Sequence, residues 1–142
     1  MTIAAILEKK GRDVASVEPE TSVREAVHLL AEHKIGSLPV VEGSRVGGIM
    51  SERDVIYCLA RDGAAVLDWP VSRVMSSPAI TVDPRTSVLA ALSKMTERRI
   101  RHLPVVENER LIGIVSIGDL VAYRLSRIEQ EAEAMRAYIQ SA

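Results

Sequence analysis

The chain has 142 residues, a net charge of −1 and 3% aromatic residues. This balance gives no bulk attraction to nucleic acid or to an anionic membrane, and it provides few rings on which bases could stack. The single cysteine excludes an internal disulfide, and no apolar run reaches the roughly 18 residues of a membrane span. The apolar run at the N-terminus is too short for a signal peptide. We therefore expect a cytoplasmic protein without nucleic-acid or membrane partners.

The first elements are a short helix, a brief strand and a longer helix. Apolar residues share one side of residues 2–10, which predicts a helix. Residues 15–17 read as a strand that ends at Glu18-Pro19. Ser22 and Glu25 form a capping-box pattern before apolar residues at helical spacing, so the sequence predicts a helix over residues 22–33.

A hairpin and another helix follow. Residues 37–41 and 46–50 are rich in β-branched residues and flank a turn that contains Gly43, which predicts two antiparallel strands. Pro39 has no amide donor and indicates a sheet edge or an irregularity. Residues 51–61 return to helical spacing, so the predicted unit is β-α-β-β-α, an α+β fold class.

The same order of elements returns later in the chain. We expect a strand at 79–82, a helix at 87–97, strands at 102–106 and 111–115, and a helix from Ser116 to about residue 140. The far end of this helix carries Met135, Tyr138 and Ile139, which predict a subunit contact. The segment before the second unit contains Trp69 and other apolar residues, and we expect it to take the place there that residues 2–10 take before the first unit.

The two units are copies related by an offset of 65 residues. Pro19 falls on Pro84, and the run LPVVE at residues 38–42 falls on the same run at residues 103–107. A duplicated unit of this length predicts two halves that pack face to face about a pseudo-twofold axis and leave a cleft. The expected organisation is an N-terminal helix at 1–10, repeat one at 11–63, a linker at 64–77, repeat two at 78–128 and a helical extension at 129–142.

The pattern Ser-x-x-Asp begins a helix in both repeats, as Ser51 with Asp54 and as Ser116 with Asp119. A helix N-terminus attracts phosphate, the serine can add a donor, and the carboxylate can accept hydrogen bonds from ribose hydroxyls. The same residues are also suited to cap their helix without any ligand. At two equivalent positions, the two interpretations are about equally supported.

A basic cluster precedes the first strand of the second hairpin. Arg98 and Arg99 fit a solvated helix end, whereas Arg101 or His102 could reach a phosphate in the cleft. Repeat one has Gly36 in place of Arg101 and Ser37 in place of His102, so the two clefts cannot be equivalent.

The sequence has no feature that predicts an enzyme. It contains no nucleophile elbow, phosphate loop or zinc-protease pattern, and its three histidines have no metal-binding spacing. We therefore expect neither catalysis nor a metal site.

Taken together, the repeat, the LPVV strands and the pattern G-I-x-S-x-x-D in both halves resemble a tandem pair of cystathionine-β-synthase (CBS) domains over residues 14–127. Such a pair is called a Bateman module, and the chain resembles a stand-alone module of the bacterial type. The resemblance implies two repeats about a pseudo-twofold axis, association into a homodimer, and regulation of a partner protein that the sequence does not name. It also implies that no cofactor is required and that the ligand is AMP, ADP, ATP or NAD.

The resemblance also implies a set of binding residues. The ribose-binding acid corresponds to Asp119 and Asp54, and the hydroxyl on the phosphate side corresponds to Ser116 and Ser51. Residues of the first strand that contact the base correspond to Ile80, Thr81 and Val82 and to Ala15, Ser16 and Val17, and the basic positions correspond to Arg101 and His102. We expect the better nucleotide site in repeat two, and the alternative is a dimeric interaction scaffold without a ligand.

Overall fold

Each half of the chain forms a helix, an antiparallel hairpin and a second helix. A computed structural model describes residues 1–141. Two short 3-10 helices, Gly63–Asp68 and Val71–Arg73, form the linker between the halves. The remaining elements are α1 (Ile3–Lys10), α2 (Val23–His33), β1 (Ser37–Glu42), β2 (Arg45–Ser51), α3 (Glu52–Asp62), α4 (Val88–Arg98), β3 (His102–Glu107), β4 (Arg110–Ser116) and α5 (Ile117–Ser141).

The two hairpins have the same register, which confirms the duplicated unit. Ser37 lies opposite Ser51 in the first hairpin, and His102 lies opposite Ser116 in the second. Both registers shift at the same point, after Val40 and after Val105. Since each hairpin leads directly into a helix, Ser51 and Ser116 stand where the end of the hairpin meets the start of a helix.

The strands predicted at residues 15–17 and 79–82 are shorter than expected. Each is a single parallel bridge, Val17 with Val40 and Val82 with Val105. Val17 N donates to Pro39 O at 3.0 Å, and Val41 N donates to Val17 O at 2.8 Å. Further strand pairing would require a backbone hydrogen bond donated by Pro39 on one side of this bridge and by Pro19 on the other. Proline has no N–H, so the pairing stops after one bridge. The prolines at 84 and 104 limit the second bridge in the same way.

The N-terminal helix packs on repeat two and the linker packs on repeat one, so each lies on the repeat that it does not directly precede in sequence. Ile3 and Leu7 of α1 lie in the core of repeat two, whereas Val66 and Val71 of the linker lie in the core of repeat one. Backbone hydrogen bonds fix both segments, from Ile3 N to Thr86 O at 2.9 Å and from Val71 N to the equivalent Thr21 O at 2.8 Å. Each repeat is therefore completed by a segment that lies just before the other repeat in sequence.

Glycines in β2 and β4 allow these segments to approach closely. A Cβ atom on Gly113 would lie 2.7 Å from Leu7 Cδ2, and one on Gly48 would lie 2.6 Å from Met75 Sδ and 2.8 Å from Ser76 O. The repeated Gly-Ile pattern thus marks the point where α1 or the linker crosses each hairpin.

Helix α5 extends beyond the repeat. Leu120 is its one buried residue within residues 117–141, and Met135, Tyr138 and Ile139 are exposed. Ala142, the last residue of the expected extension, lies outside the described residues. No helix within residues 1–141 has both the length and the apolar character that crossing a membrane requires.

Candidate functional site

The N-terminus of α3 is hydrogen-bonded to the loop between α2 and β1, and the N-terminus of α5 is hydrogen-bonded to the loop between α4 and β3. Glu52 N donates to Gly36 O at 2.9 Å, and Ile117 N donates to Arg101 O at 2.8 Å. Each of these helix N-termini, with its partial positive charge, therefore lies beside the segment that leads into β1 or β3.

Asp54 caps α3 and also faces outward from it. Its Oδ2 accepts hydrogen bonds from Ser51 N at 2.9 Å and Ser51 Oγ at 3.1 Å, and Asp54 N donates to Ser51 Oγ at 3.2 Å. Its Oδ1 accepts a hydrogen bond from Ser76 Oγ in the linker at 3.2 Å. The capping interpretation is therefore correct for this pair, and the second carboxylate oxygen is left for a contact outside the helix.

Asp119 also caps its helix, but its outside contact falls on the same carboxylate oxygen as the cap. Its Oδ2 accepts hydrogen bonds from Ser116 N at 2.8 Å and from Lys10 Nζ at 2.6 Å, and Asp119 N donates to Ser116 Oγ at 3.1 Å. Lys10 Nζ also donates to Ile114 O at 2.8 Å. Burial raises the pKa of Asp119, but the hydrogen bonds from Lys10 and Ser116 outweigh it, so the pKa of this carboxyl lies below its usual value.

A cavity of about 300 Å³ opens beside Asp54, and we call it the Asp54 cleft. Four arginines and two acids line it, which gives it a cationic character. The lining residues are Gly36, Ser37, Ile49, Ser51, Glu52, Arg53, Asp54, Ser76, Pro78, Ile80, Arg98, Arg99, Ile100, Arg101 and His102.

A larger cavity of about 800 Å³ lies beside Asp119, and we call it the Asp119 cleft. Its two lysines are balanced by two aspartates, so it lacks the positive excess of the Asp54 cleft. The lining residues are Lys10, Asp13, Val14, Ala15, Ser16, Leu29, His33, Lys34, Ile35, Gly36, Ser37, His102, Ile114, Ser116 and Asp119.

The structure groups the expected site residues across the repeats. We expected Arg101 in the nucleotide site of repeat two, beside Asp119. It lines the Asp54 cleft and does not line the Asp119 cleft. Gly36, the equivalent of Arg101, lines both clefts. Face-to-face association brings the connection before β3 against the start of α3. The three arginines of the basic cluster therefore line the cleft of the acid in the other repeat, and within the cluster only His102 also lines the Asp119 cleft.

The residues before the two bridges divide in the same crossed manner. Ile80 lines the Asp54 cleft, whereas Ala15 and Ser16 line the Asp119 cleft. Val17 and Val82 are buried in the cores and line neither cleft. Thr81 also lies outside both linings, and its carbonyl oxygen accepts a hydrogen bond from Lys94 Nζ at 3.0 Å.

His102 lies between the two clefts and contributes to both. Its ring packs over Gly36, where an added Cβ atom would lie 3.1 Å from His102 Cε1. Burial lowers the pKa of His102, and the nearby Lys10 and Arg101 act in the same direction, against Glu52 and Asp119. The imidazole is thus held in its neutral form more firmly than a free histidine.

Several residues of the clefts were missed by the sequence analysis. Lys10 and Ser76 contact the two acids but lie outside the repeated units, so no repeat pattern marks them. Ser37 is 3% exposed, and its Oγ has no hydrogen-bond partner among residues 1–141 although the residue lines both clefts. Within that range, no group of three or more histidine, cysteine, aspartate or glutamate side chains could hold a metal ion.

Comparison with known proteins agrees with this architecture. The family model of the CBS domain matches residues 10–61 and 71–126. The CBS domain-containing protein CBSX3, mitochondrial, from Arabidopsis thaliana is 34% identical over 148 residues, covering 98% of this chain and 72% of that protein. The crystal structure of the CBS-domain containing protein ATU1752 from Agrobacterium tumefaciens has a TM-score of 0.83 at 40% identity, covering 87% of this chain and 92% of that one.

A further solved structure contains a ligand. It is the CBS domain protein PAE2072 from Pyrobaculum aerophilum complexed with AMP, with a TM-score of 0.75 at 30% identity over 84% of this chain and 89% of that one. With two matched domains, the crossed clefts and the shared hairpin register, the chain belongs to the CBS domain family as a tandem pair.

Proposed function

We propose that this chain is a non-catalytic regulatory module that binds an adenosine nucleotide, AMP, ADP, ATP or NAD, and acts as a homodimer on a partner protein. The observation that carries the proposal is the composition of the Asp54 cleft. A carboxylate at a helix N-terminus and three arginines from the other repeat, Arg98, Arg99 and Arg101, line one cavity. Its volume of about 300 Å³ is at the lower end of small-molecule sites.

Each part of a nucleotide has a complementary group in this cleft. Asp54 Oδ1 faces outward from the capping contact and can accept a ribose hydroxyl in place of Ser76 Oγ. Ile80 offers an apolar surface to the base, and Arg101 offers a forked donor to phosphate. We assign Asp54, Ser51, Ile80, Arg101 and His102 to this site.

The Asp119 cleft is the second proposed site, with Asp119, Ser116, Ala15 and Ser16. Because its charges balance, it favours a ligand with less phosphate than the Asp54 cleft does. This reverses the ranking expected from the sequence, since the arginines lie beside the acid of repeat one. The relative complexed with AMP supports an adenosine ligand for this pair of clefts.

The alternative is a scaffold that binds no nucleotide. The capping bonds favour it, because Ser51 and Ser116 already satisfy much of each carboxylate within the chain. A ligand can regulate a partner only if it binds two conformations with different affinities, and a scaffold would lack this property.

Isothermal titration calorimetry with AMP and with adenosine separates these functions. Asp54→Asn keeps an oxygen for the cap but loses the charge, and we expect it to weaken AMP binding about ten- to a hundredfold, the equivalent of about 1.5–3 kcal/mol. Arg101→Ala should weaken AMP more than adenosine, because adenosine has no phosphate. The control is Arg85→Ala, which lies outside both clefts. Absence of binding by AMP, ATP and NAD in calorimetry and in thermal melting would support the scaffold.

A further inference from the structure

One face of α5 carries apolar side chains that nothing within residues 1–141 covers. The spacing along this face alternates between four and three residues from Val121 to Ile139. All of its members are exposed, and the larger ones are 42% to 65% exposed. The members are Val121, Leu125, Ile128, Ala132, Met135 and Ile139.

This spacing is the heptad pattern of a coiled coil. Leu125, Ala132 and Ile139 occupy a positions, and Val121, Ile128 and Met135 occupy d positions. A stripe confined to a and d is narrower than the face by which a helix packs on a globular core, and it suits a second helix that winds around the first. The seam begins where α5 leaves its own core at Leu120.

The charges that flank the seam favour one partner and one orientation. Arg124 and Glu131 occupy g positions, and Glu129 and Arg136 occupy e positions. In a parallel pair of identical helices, each g residue faces the partner's e residue five positions later. Arg124 would then face the partner's Glu129, and Glu131 would face the partner's Arg136, so both contacts are attractive.

An antiparallel pair has the opposite consequence. With the a and d layers aligned, Glu129 would face the partner's Glu129, and Glu131 would face the partner's Glu131, so both contacts are repulsive. None of the four charged side chains at the e and g positions forms an ion pair within residues 1–141. They are therefore available to a partner helix.

We propose that residues 121–139 of α5 pair with the same residues of a second copy as a parallel, in-register, two-stranded coiled coil. This inference rests on the homodimer proposed above, but it does not depend on nucleotide binding. Such a coiled coil would place repeat two of one subunit beside repeat two of its partner, because α5 continues directly from repeat two. Ile56 and Ile117, which are 59% and 39% exposed, line one groove at the start of α5 and continue the apolar surface toward α3.

Disulfide crosslinking tests the orientation in the full-length chain. In a Cys58→Ser background, Leu125→Cys places two thiols at one parallel layer, within the Cα separation of about 4.4–6.8 Å that a disulfide needs. We expect a covalent dimer after mild oxidation. In an antiparallel pair, Leu125 would lie opposite the partner's Met135 and about 15 Å along the axis from the partner's Leu125. Gln130→Cys, on the outer face, is the matched control and should remain uncrosslinked.

A charge exchange tests the pairing by sedimentation equilibrium. We expect Arg124→Glu to weaken dimerisation about three- to thirtyfold, because two symmetric contacts become repulsive. Adding Glu129→Arg in the same chain should restore the affinity to within about threefold. Circular dichroism verifies that both variants fold.

Three results would overturn the inference. A monomer at all concentrations would refute both the homodimer and the coiled coil. A crosslink only in a mixture of Leu125→Cys and Met135→Cys chains would show the antiparallel orientation. A dimer of unchanged affinity in Ile128→Arg would place the interface elsewhere. Calorimetry with AMP on the same preparations reports nucleotide binding separately, so either proposal can fail alone.

Discussion

Lys10 Nζ lies 2.6 Å from Asp119 Oδ2, so the end of α1 is joined to the start of α5 across 109 positions of sequence. Asp54 has an equivalent contact from the linker, where Ser76 Oγ donates to its Oδ1. In both clefts, therefore, the acid proposed to bind ribose is held by a segment outside its own repeat. A sugar hydroxyl at Asp119 Oδ2 would compete with an ammonium group, whereas a sugar hydroxyl at Asp54 Oδ1 would compete with a neutral hydroxyl.

This difference predicts the effect of Lys10→Met. Because breaking a partly exposed ion pair costs about 0.2–1 kcal/mol, its removal should tighten adenosine binding in the Asp119 cleft about 1.4- to fivefold. The measurement is calorimetry in an Asp54→Asn background, which weakens the other cleft. Lys9→Met is the control, since Lys9 forms no ion pair within residues 1–141. Weaker adenosine binding in Lys10→Met would mean that Lys10 contacts the ligand itself.

The half-buried imidazole of His102 predicts a dependence of stability on pH. Burial lowers the pKa of His102 in the folded chain, so the unfolded chain binds the additional proton first as pH falls. The stabilising contribution should be complete above about pH 6.5, the usual histidine value, and should be lost as pH falls below it toward the folded pKa.

We expect His102→Gln to reduce this loss, so the difference in the free energy of unfolding between pH 7 and pH 5 should be smaller than in the parent chain. Urea denaturation at a series of pH values provides the measurement. His28→Gln, an exposed position on α2, is the control. An unchanged pH dependence in His102→Gln would show that other groups cause it.

The linker passes close to β2, so we expect alanine substitutions at three glycines to differ in how much they lower the free energy of unfolding. Gly48→Ala should lower the free energy of unfolding by about 1–3 kcal/mol, because its Cβ atom would lie 2.8 Å from the backbone oxygen of Ser76. Gly113→Ala should cost less, since its nearest obstacle is the end of the Leu7 side chain. Gly47→Ala, whose nearest atom lies at 3.9 Å, should cost no more than about 0.5 kcal/mol. Equal losses at all three positions, measured by chemical denaturation, would contradict this explanation.

Local patterns predicted most of the elements. Ser22 and Ser87 begin helices, and their Oγ atoms accept hydrogen bonds from Glu25 N and Ala90 N. The β-branched runs that flank a turn form the two hairpins in equivalent registers. Each of these features depends on residues a few positions apart, so the sequence carries the whole signal. The exception is the pair of segments predicted as strands, which form only single bridges. The flanking prolines are visible in the sequence, but which hydrogen bonds they remove depends on which strand each segment pairs with.

The sequence by itself determined that the chain is a duplicated α+β unit with two Ser-x-x-Asp helix starts, because repetition, periodicity and capping are local properties. Only the tertiary structure decided which residues share a cleft. Arg101 joins Asp54 and Lys10 joins Asp119 because the halves pack face to face, and α1 and the linker cross to opposite repeats. The physical reason is that burial of apolar faces sets the relative placement of the halves, and this long-range choice leaves no periodic trace in the sequence.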